Sequence, residues 1–279
     1  MIIDGKKIAA GIMARVAERV KELPRPPRVA AILVGAQKEM RRFLEIKEEM
    51  AVKAGFEYRW YEFSSDLPAG KAGIKTKELR KKLVEIARQT LVSGIILELP
   101  LPKHIDQQYV LNALPQEKDP DVLSQKAQGA YYVGRSAVMP PCAAAVKAIV
   151  DTHAIELAGK YCVVYGYGVL VGKQIAHYLM SQLATVTVVN IATKDPGQYS
   201  RDADLIVTGV GAPKLIKGDM VKQDAIVIDF GYGKTDGKLS GDVDFDEVSK
   251  KASLITPVPG GVGPLVCATA LENILKLGS

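Results

Sequence analysis

Residues 28–55 read RVAAILVGAQKEMRRFLEIKEEMAVKAG, and the change of pattern across Gly35 decides the fold. The first seven residues form a near-continuous apolar run, the signature of a strand buried on both faces of a parallel sheet. Gly35 turns the chain, and Met40, Phe43, Lys47, Met50 and Ala54 then recur at steps of three or four, which predicts an amphipathic helix. A second strand is predicted at 57–63. Ile74, Leu79, Leu83 and Ile86 mark a further helix, and GIILEL at 94–99 a third strand, bounded by Pro100 and Pro102. Strand and helix alternating from 28 to 99 give an α/β layer architecture.

Two charges stand out against this pattern. Lys47 lies on the apolar stripe of its helix, whereas Arg41, Arg42, Glu45, Glu48 and Glu49 fall mostly on other faces. An ammonium drawn toward a core must snorkel, find a partner or lose its proton. Lys47 therefore either reaches water from the edge of the stripe or serves as a functional amine. Glu98 is the only charge in its strand and sits at the C-terminal end, where open parallel sheets bind ligands. Its plain alternative is a strand-end acid in solvent.

Outward from this segment, Ile8, Ile12, Val16 and Val20 step by four along a first helix that ends before Pro24, Pro26 and Pro27. The pattern breaks between 114 and 141, a candidate domain boundary. There Asp119 and Asp121 flank Pro120, in a surface turn or a loop that presents carboxylates. Residues 142–150 read as a helix. Residues 161–165 are a strand, followed by Gly166, Gly168 and Gly172 and a helix through Ile175 and Leu179. Glycines allow close approach to a phosphate, and a helix start offers unpaired amides and a favourable dipole. The spacing is GxGxxxG rather than GxGxxG, a moderate signal for a dinucleotide.

The next strand, ATVTVV at 184–189, ends in Asn190, without the acid expected for an NAD ribose or an arginine for a 2′-phosphate. Strands at 204–208, 225–229 and 254–255 follow, with glycine turns at Gly209 and Gly211 and at Gly231 and Gly233 that suit a nucleotide-binding sheet. PVPGGVGP at 257–264 packs glycines between prolines ahead of a last helix through Ala270, Leu271 and Ile274. It reads as a rigid turn or a pre-shaped loop for an anionic or carbonyl group.

Composition bounds what such a chain can do. Its 279 residues suit two modest domains or one large one, and 48% hydrophobic with 24% charged residues excludes disorder. A net charge of +6 mildly favours anionic ligands, but the cations are scattered among acids, so no nucleic-acid surface is expected. Cys142, Cys162 and Cys267 are odd in number and widely spaced, which argues against a disulfide framework and a zinc site. With no apolar run of membrane length and lysines within MIIDGKKIAAGI, a cytoplasmic protein without membrane partners is expected.

Together these motifs resemble the bifunctional methylenetetrahydrofolate dehydrogenase/methenyltetrahydrofolate cyclohydrolase family. The match runs nearly end to end: VG before a helix bearing a lysine followed by AGF, then GIILELPLP, EKDPD, MPPC, GYGVLVGK, ATVTVV, DLIVTGVGAP, IVIDFGYG, GDVDF and ITPVPGGVGP. The resemblance implies two α/β domains with a cleft between them: a folate-binding domain at 1–138 completed by 265–279, and a Rossmann NAD(P)-binding domain at 139–264. It implies a folate or pterin substrate and a homodimer, with no metal. Lys47 and Asp121 match the family's essential lysine and pterin-holding aspartate, and Glu98 stands with them as a catalytic position. Phe43, Leu99, Pro100, Pro259, Gly260 and Gly261 correspond to substrate-binding positions. Gly166, Tyr167, Gly168, Gly172, Asn190, Gly209 and Gly211 correspond to cofactor-binding positions.

The chain is a divergent member of that pattern. Phe43 replaces a tyrosine, Met40 a serine, Glu98 a glutamine and Val122 a glycine; Ala143 and Ala144 replace Thr-Pro. Tyr167 and Gly168 replace Arg-Ser, and Asn190, Ile191 and Ala192 replace residues that help hold a 2′-phosphate. An acid beside the lysine favours the ammonium over a usable base. The expectation is a dehydrogenase that oxidises 5,10-methylenetetrahydrofolate with NAD(P), with weak or lost cyclohydrolase activity. NADP follows from the resemblance, and NAD from the missing phosphate contacts. The alternatives are a non-catalytic paralogue that binds a protein partner and an enzyme for another pterin.

Overall fold

In a computed structural model that describes residues 1–35, 38–65, 73–235 and 238–278, the apolar run at 28–34 is the middle strand of a three-stranded parallel sheet. The first half of the chain runs α1 (Gly5–Lys21), β1 (Arg28–Val34), α2 (Lys38–Lys53), β2 (Glu57–Phe63), α3 (Thr76–Ala87), β3 (Val92–Leu97), α4 (Gln107–Leu111) and α5 (Gln125–Tyr132). The sheet order is β2-β1-β3, with Val29 opposite Tyr58 on one side and Gly94 on the other. All seven residues of β1 are buried, as a strand covered on both faces must be, whereas edge strand β2 alternates exposed and half-buried positions. Leu79, Leu83 and Ile86 of α3 pack with Ile32, Ile95 and Leu97 in one core.

The second half runs α6 (Pro141–Thr152), β4 (Tyr161–Tyr165), α7 (Gly172–Ser181), β5 (Thr185–Val189), α8 (Gly197–Ser200), β6 (Leu205–Thr208), β7 (Ile226–Asp229), β8 (Gly233–Thr235), β9 (Lys238–Ser240), α9 (Phe245–Val248), β10 (Leu254–Ile255) and α10 (Val262–Leu277). Five parallel strands lie in the order β5-β4-β6-β7-β10. This is the doubly wound arrangement whose order reverses between β4 and β6, and ligands bind outside the carboxyl ends of the strands at such a point. The hairpin β8–β9, which the sequence pattern did not announce, is antiparallel.

The chain divides into two compact units, residues 1–10 with 142–266 and residues 11–141 with 267–279. The sequence-based boundaries differ from these at the first ten residues. The physical reason is strand pairing: Ile2 bridges Ile255, and the Ile3 amide donates to the Ile255 carbonyl at 2.8 Å. The end of α10 belongs with the three-stranded sheet. A Cβ on Gly94 would lie 2.6 Å from Ile274, and Asn273 Nδ2 donates to the carbonyls of Pro120 (2.8 Å) and Met139 (2.7 Å). Cys162 on β4 and Cys267 on α10 are both fully buried. Among the described residues no helix is long and apolar enough to cross a membrane.

Candidate functional site

The helical stripe turns Lys47 inward. The residue is 5% exposed, and Nζ donates to Glu98 Oε2 at 3.0 Å. Both side chains of the pair are close to fully buried, at 6% and 11% exposure. Glu98 follows the last residue of β3, so the strand end delivers a carboxylate to a helix 51 residues earlier in the chain. Of the two readings of Lys47, the inward amine is the one the geometry supports; it does not snorkel to water. Phe43, one turn before it on α2, places its ring centroid 4.9 Å from Nζ. Leu99 packs against the core and the Leu99–Pro100 peptide is cis.

The electrostatics follow from this enclosure. Burial alone would lower the Lys47 pKa, but the charges of Glu98 and then Asp121 outweigh it and hold the ammonium well above the ordinary lysine range. Burial pushes Asp121 up to about 6, against the pull of Lys47. Asp119 and Asp121, equivalent in the sequence, part company here. Asp119 is 1% exposed and accepts from the amides of Leu123 (3.0 Å) and Ser124 (2.8 Å), so it fixes the turn. Lys118, beside it, donates to the carbonyls of Ala87 (2.8 Å) and Gln89 (2.9 Å) where α3 ends. Val122 is fully buried at φ 55°. That left-handed conformation is costly for a β-branched residue.

Two members of this cluster were missed in the sequence. Tyr58, on β2, donates its hydroxyl to the Leu44 carbonyl at 3.4 Å. Burial drives its pKa up, opposed by Lys47. Burial pushes the Cys267 thiol up to about 12, again opposed by Lys47. The alternation of EYRWYEF could have flagged Tyr58, since its neighbours on either side point outward. Nothing local could have flagged Cys267.

The other unit assembles its candidate residues around two glycine turns. Gly166 follows β4 at φ 89°, and Gly172 opens α7 so close behind that a Cβ there would lie 2.0 Å from the Gly166 carbonyl oxygen. Gly168 faces open space. Gly209 and Gly211, the latter at φ 71°, form the turn after β6. These turns stand at the carboxyl ends of β4 and β6, flanking the point of reversal, and the start of the ten-residue α7 supplies amides. A dinucleotide fits such a cradle: its phosphates would take the turn and helix-start amides, beside Gly172, where a side chain has no room.

Tyr167 is 56% exposed, with the Lys173 ammonium 5.3 Å from its ring centroid. Asn190 spends its carbonyl oxygen on the Ala192 amide at 2.9 Å, and Ile191 is fully exposed. Pro259, Gly260 and Gly261 belong to this unit rather than to that of Lys47. The Val258–Pro259 peptide is cis, Gly260 has φ 103°, and a Cβ on Gly261 would lie 2.5 Å from the Pro257 carbonyl oxygen.

The tetrahydrofolate dehydrogenase/cyclohydrolase catalytic domain matches residues 3–121, and the NAD(P)-binding domain of the same proteins matches residues 140–279. The chain belongs to the tetrahydrofolate dehydrogenase/cyclohydrolase family. It is 37% identical over 277 residues to the bifunctional protein FolD of Hydrogenobaculum sp. (strain Y04AAS1), covering 99% of this chain and 97% of that protein. The crystal structure of the bifunctional FolD enzyme from Campylobacter jejuni superposes with a TM-score of 0.93 at 34% identity, covering 100% of this chain and 98% of that one. The Trypanosoma brucei FolD, solved with NADP and an inhibitor, gives a TM-score of 0.93 at 32% identity, covering 100% and 97%. Membership makes the chain an NAD(P)-dependent enzyme of folate one-carbon metabolism.

Proposed function

We propose that this protein oxidises 5,10-methylenetetrahydrofolate to 5,10-methenyltetrahydrofolate with a nicotinamide dinucleotide, and that its hydrolysis of the methenyl product is weak or lost. The bound nicotinamide supplies the hydride acceptor, so the chain's residues need only bind, orient and exclude water. Gly166, Gly168, Gly172, Gly209 and Gly211 would hold the dinucleotide; Asp121, Phe43, Leu99 and Pro100 would meet the pterin. Hydrolysis asks for more, because an amine must take or relay a proton as water opens the ring. The observation that carries the proposal is the 3.0 Å pair of Lys47 with Glu98, which keeps that amine protonated. Loss of a hydroxyl at Phe43 removes a further donor. Glu98→Gln should raise methenyltetrahydrofolate hydrolysis about tenfold relative to dehydrogenation. An unchanged ratio in the two assays would overturn the assignment.

We further infer a preference for NAD over NADP. Tyr167, Asn190, Ile191 and Ala192 supply no cation at positions where relatives hold a 2′-phosphate, and charge-assisted bonds to phosphate are the strong ones. Tighter binding of NADP in a calorimetric titration would refute this. We infer a homodimer from the family resemblance, open to sedimentation analysis, and a cytoplasmic location from the sequence pattern.

A further inference from the structure

Asp242, in the turn after β9, is fully buried and lies outside every role assigned above. Its Oδ2 accepts from Thr208 Oγ1 at 2.8 Å and from the Val210 amide at 2.7 Å. Thr208 ends β6, and Val210 is the residue between Gly209 and Gly211. One carboxylate oxygen therefore grips the glycine turn from beneath. The backbone that carries this carboxylate is itself anchored, because the Asp242 amide donates to Asp229 Oδ1 at 3.2 Å at the end of β7. The Asp229 carboxylate also accepts from the amides of Gly231 (2.7 Å) and Val243 (3.0 Å). Close packing leaves no slack: a Cβ on Gly241 would lie 2.0 Å from Asp229 Oδ2, and one on Gly231 2.5 Å from Asp242 Oδ1.

What this grip controls is visible one layer up. Val210 Cγ1 would lie 2.7 Å from a Cβ on Gly166, and Val171 Cγ1 2.8 Å from a Cβ on Gly209. Each glycine turn thus carries, or adjoins, a valine that seats on the glycine of the other. A shift of the Val210 backbone would move its side chain on Gly166 and change the spacing of the two turns. Hydrogen bonds to a carboxylate are roughly twice as strong as neutral ones, which suits a strut that must not give.

We propose that Asp242 is a positioning residue for the dinucleotide, holding Val210 on Gly166 so that the turns after β4 and β6 keep the spacing the ligand requires. The inference rests on the reading of those turns as the dinucleotide site. The test is calorimetric titration of the full-length wild type, Asp242→Ala and Asp242→Asn with NAD and with NADP, alongside melting temperatures and KM values for both substrates. Asp242→Ala should weaken the better dinucleotide by about tenfold or more and raise its KM while leaving the folate KM in place. Asp242→Asn, whose amide oxygen can take the place of Oδ2, should recover most of the loss. Unchanged affinity in Asp242→Ala, equal loss in both variants, or KM values for both substrates rising together would overturn the proposal. If Asp242→Ala does not fold, Thr208→Val removes one of the two donors at little change in volume; weaker dinucleotide binding supports the strut and unchanged binding overturns it. A wild type that binds neither dinucleotide would instead sink the reading of the turns.

Discussion

The cluster around Lys47 is built from side-chain charge, and the paired turns of the doubly wound sheet are built from backbone. At the first, a buried carboxylate at position 98 holds the Lys47 side chain as an ammonium. At the second, what matters is the absence of a side chain at Gly166, Gly172 and Gly209, where a Cβ would meet its neighbours at 2.0–2.8 Å. A site held by charge is altered by exchanging one ionised group, whereas a site shaped by glycines is altered by adding a Cβ.

The sharpest way to break this contrast is to remove Glu98. Glu98→Ala leaves a buried ammonium with its nearest partner gone and should cost about 3 kcal/mol, read as a lower urea midpoint. A loss of less than about 1 kcal/mol, the range of exposed pairs, would mean the pair is solvated. Next in size is the backbone side. Gly172→Ala drives a Cβ to 2.0 Å from a carbonyl oxygen, and overpacking of this kind costs about 1–3 kcal/mol with loss of dinucleotide binding. Gly168→Ala meets open space, so its melting temperature should match the wild type while dinucleotide binding weakens. A destabilised Gly168→Ala would show that the two glycines do not divide structure from binding in this way.

A pH dependence probes the charged side of the contrast a second time. The Asp121 pKa in the folded protein, about 6, lies above its ordinary value of 3.8 because of burial. The folded state therefore binds more protons than the unfolded chain between those values. The stabilisation this supplies is complete below 3.8 and is lost as pH rises through about 6. Subtracting the stability curve of Asp121→Asn from that of the wild type should expose a component that declines across that window. A flat difference would place Asp121 in water.

How far the sequence could be read divides along the same line. Periodicity put Lys47 on the apolar stripe without deciding whether it reached water, and the strand-end rule marked Glu98 without excluding an acid in solvent; the structure buries both and pairs them. The β1 run and the glycine spacing after β4 were equally legible, because local pattern fixes them. Convergence from distant segments was not. Tyr58 and Cys267 reach the Lys47 neighbourhood through tertiary packing. Asp119 and Asp121 look interchangeable until one is spent on two amides. Val122 adopts a left-handed φ that its side chain argues against, so no propensity scale would have placed it there. Pairing of Ile2 with Ile255 is long-range, and it assigned the first ten residues to the unit their neighbours in sequence do not share.

Cys162 and Cys267, one in each unit, give the molecule a pair of built-in clocks. Burial holds both thiols up to about 12, so neither carries the thiolate an alkylating reagent needs while its surroundings stay closed. Each can be labelled only as fast as its own unit opens, and the ratio of the two labelling rates, read by mass spectrometry of separate peptides, times the breathing of the backbone cradle against that of the charged pocket.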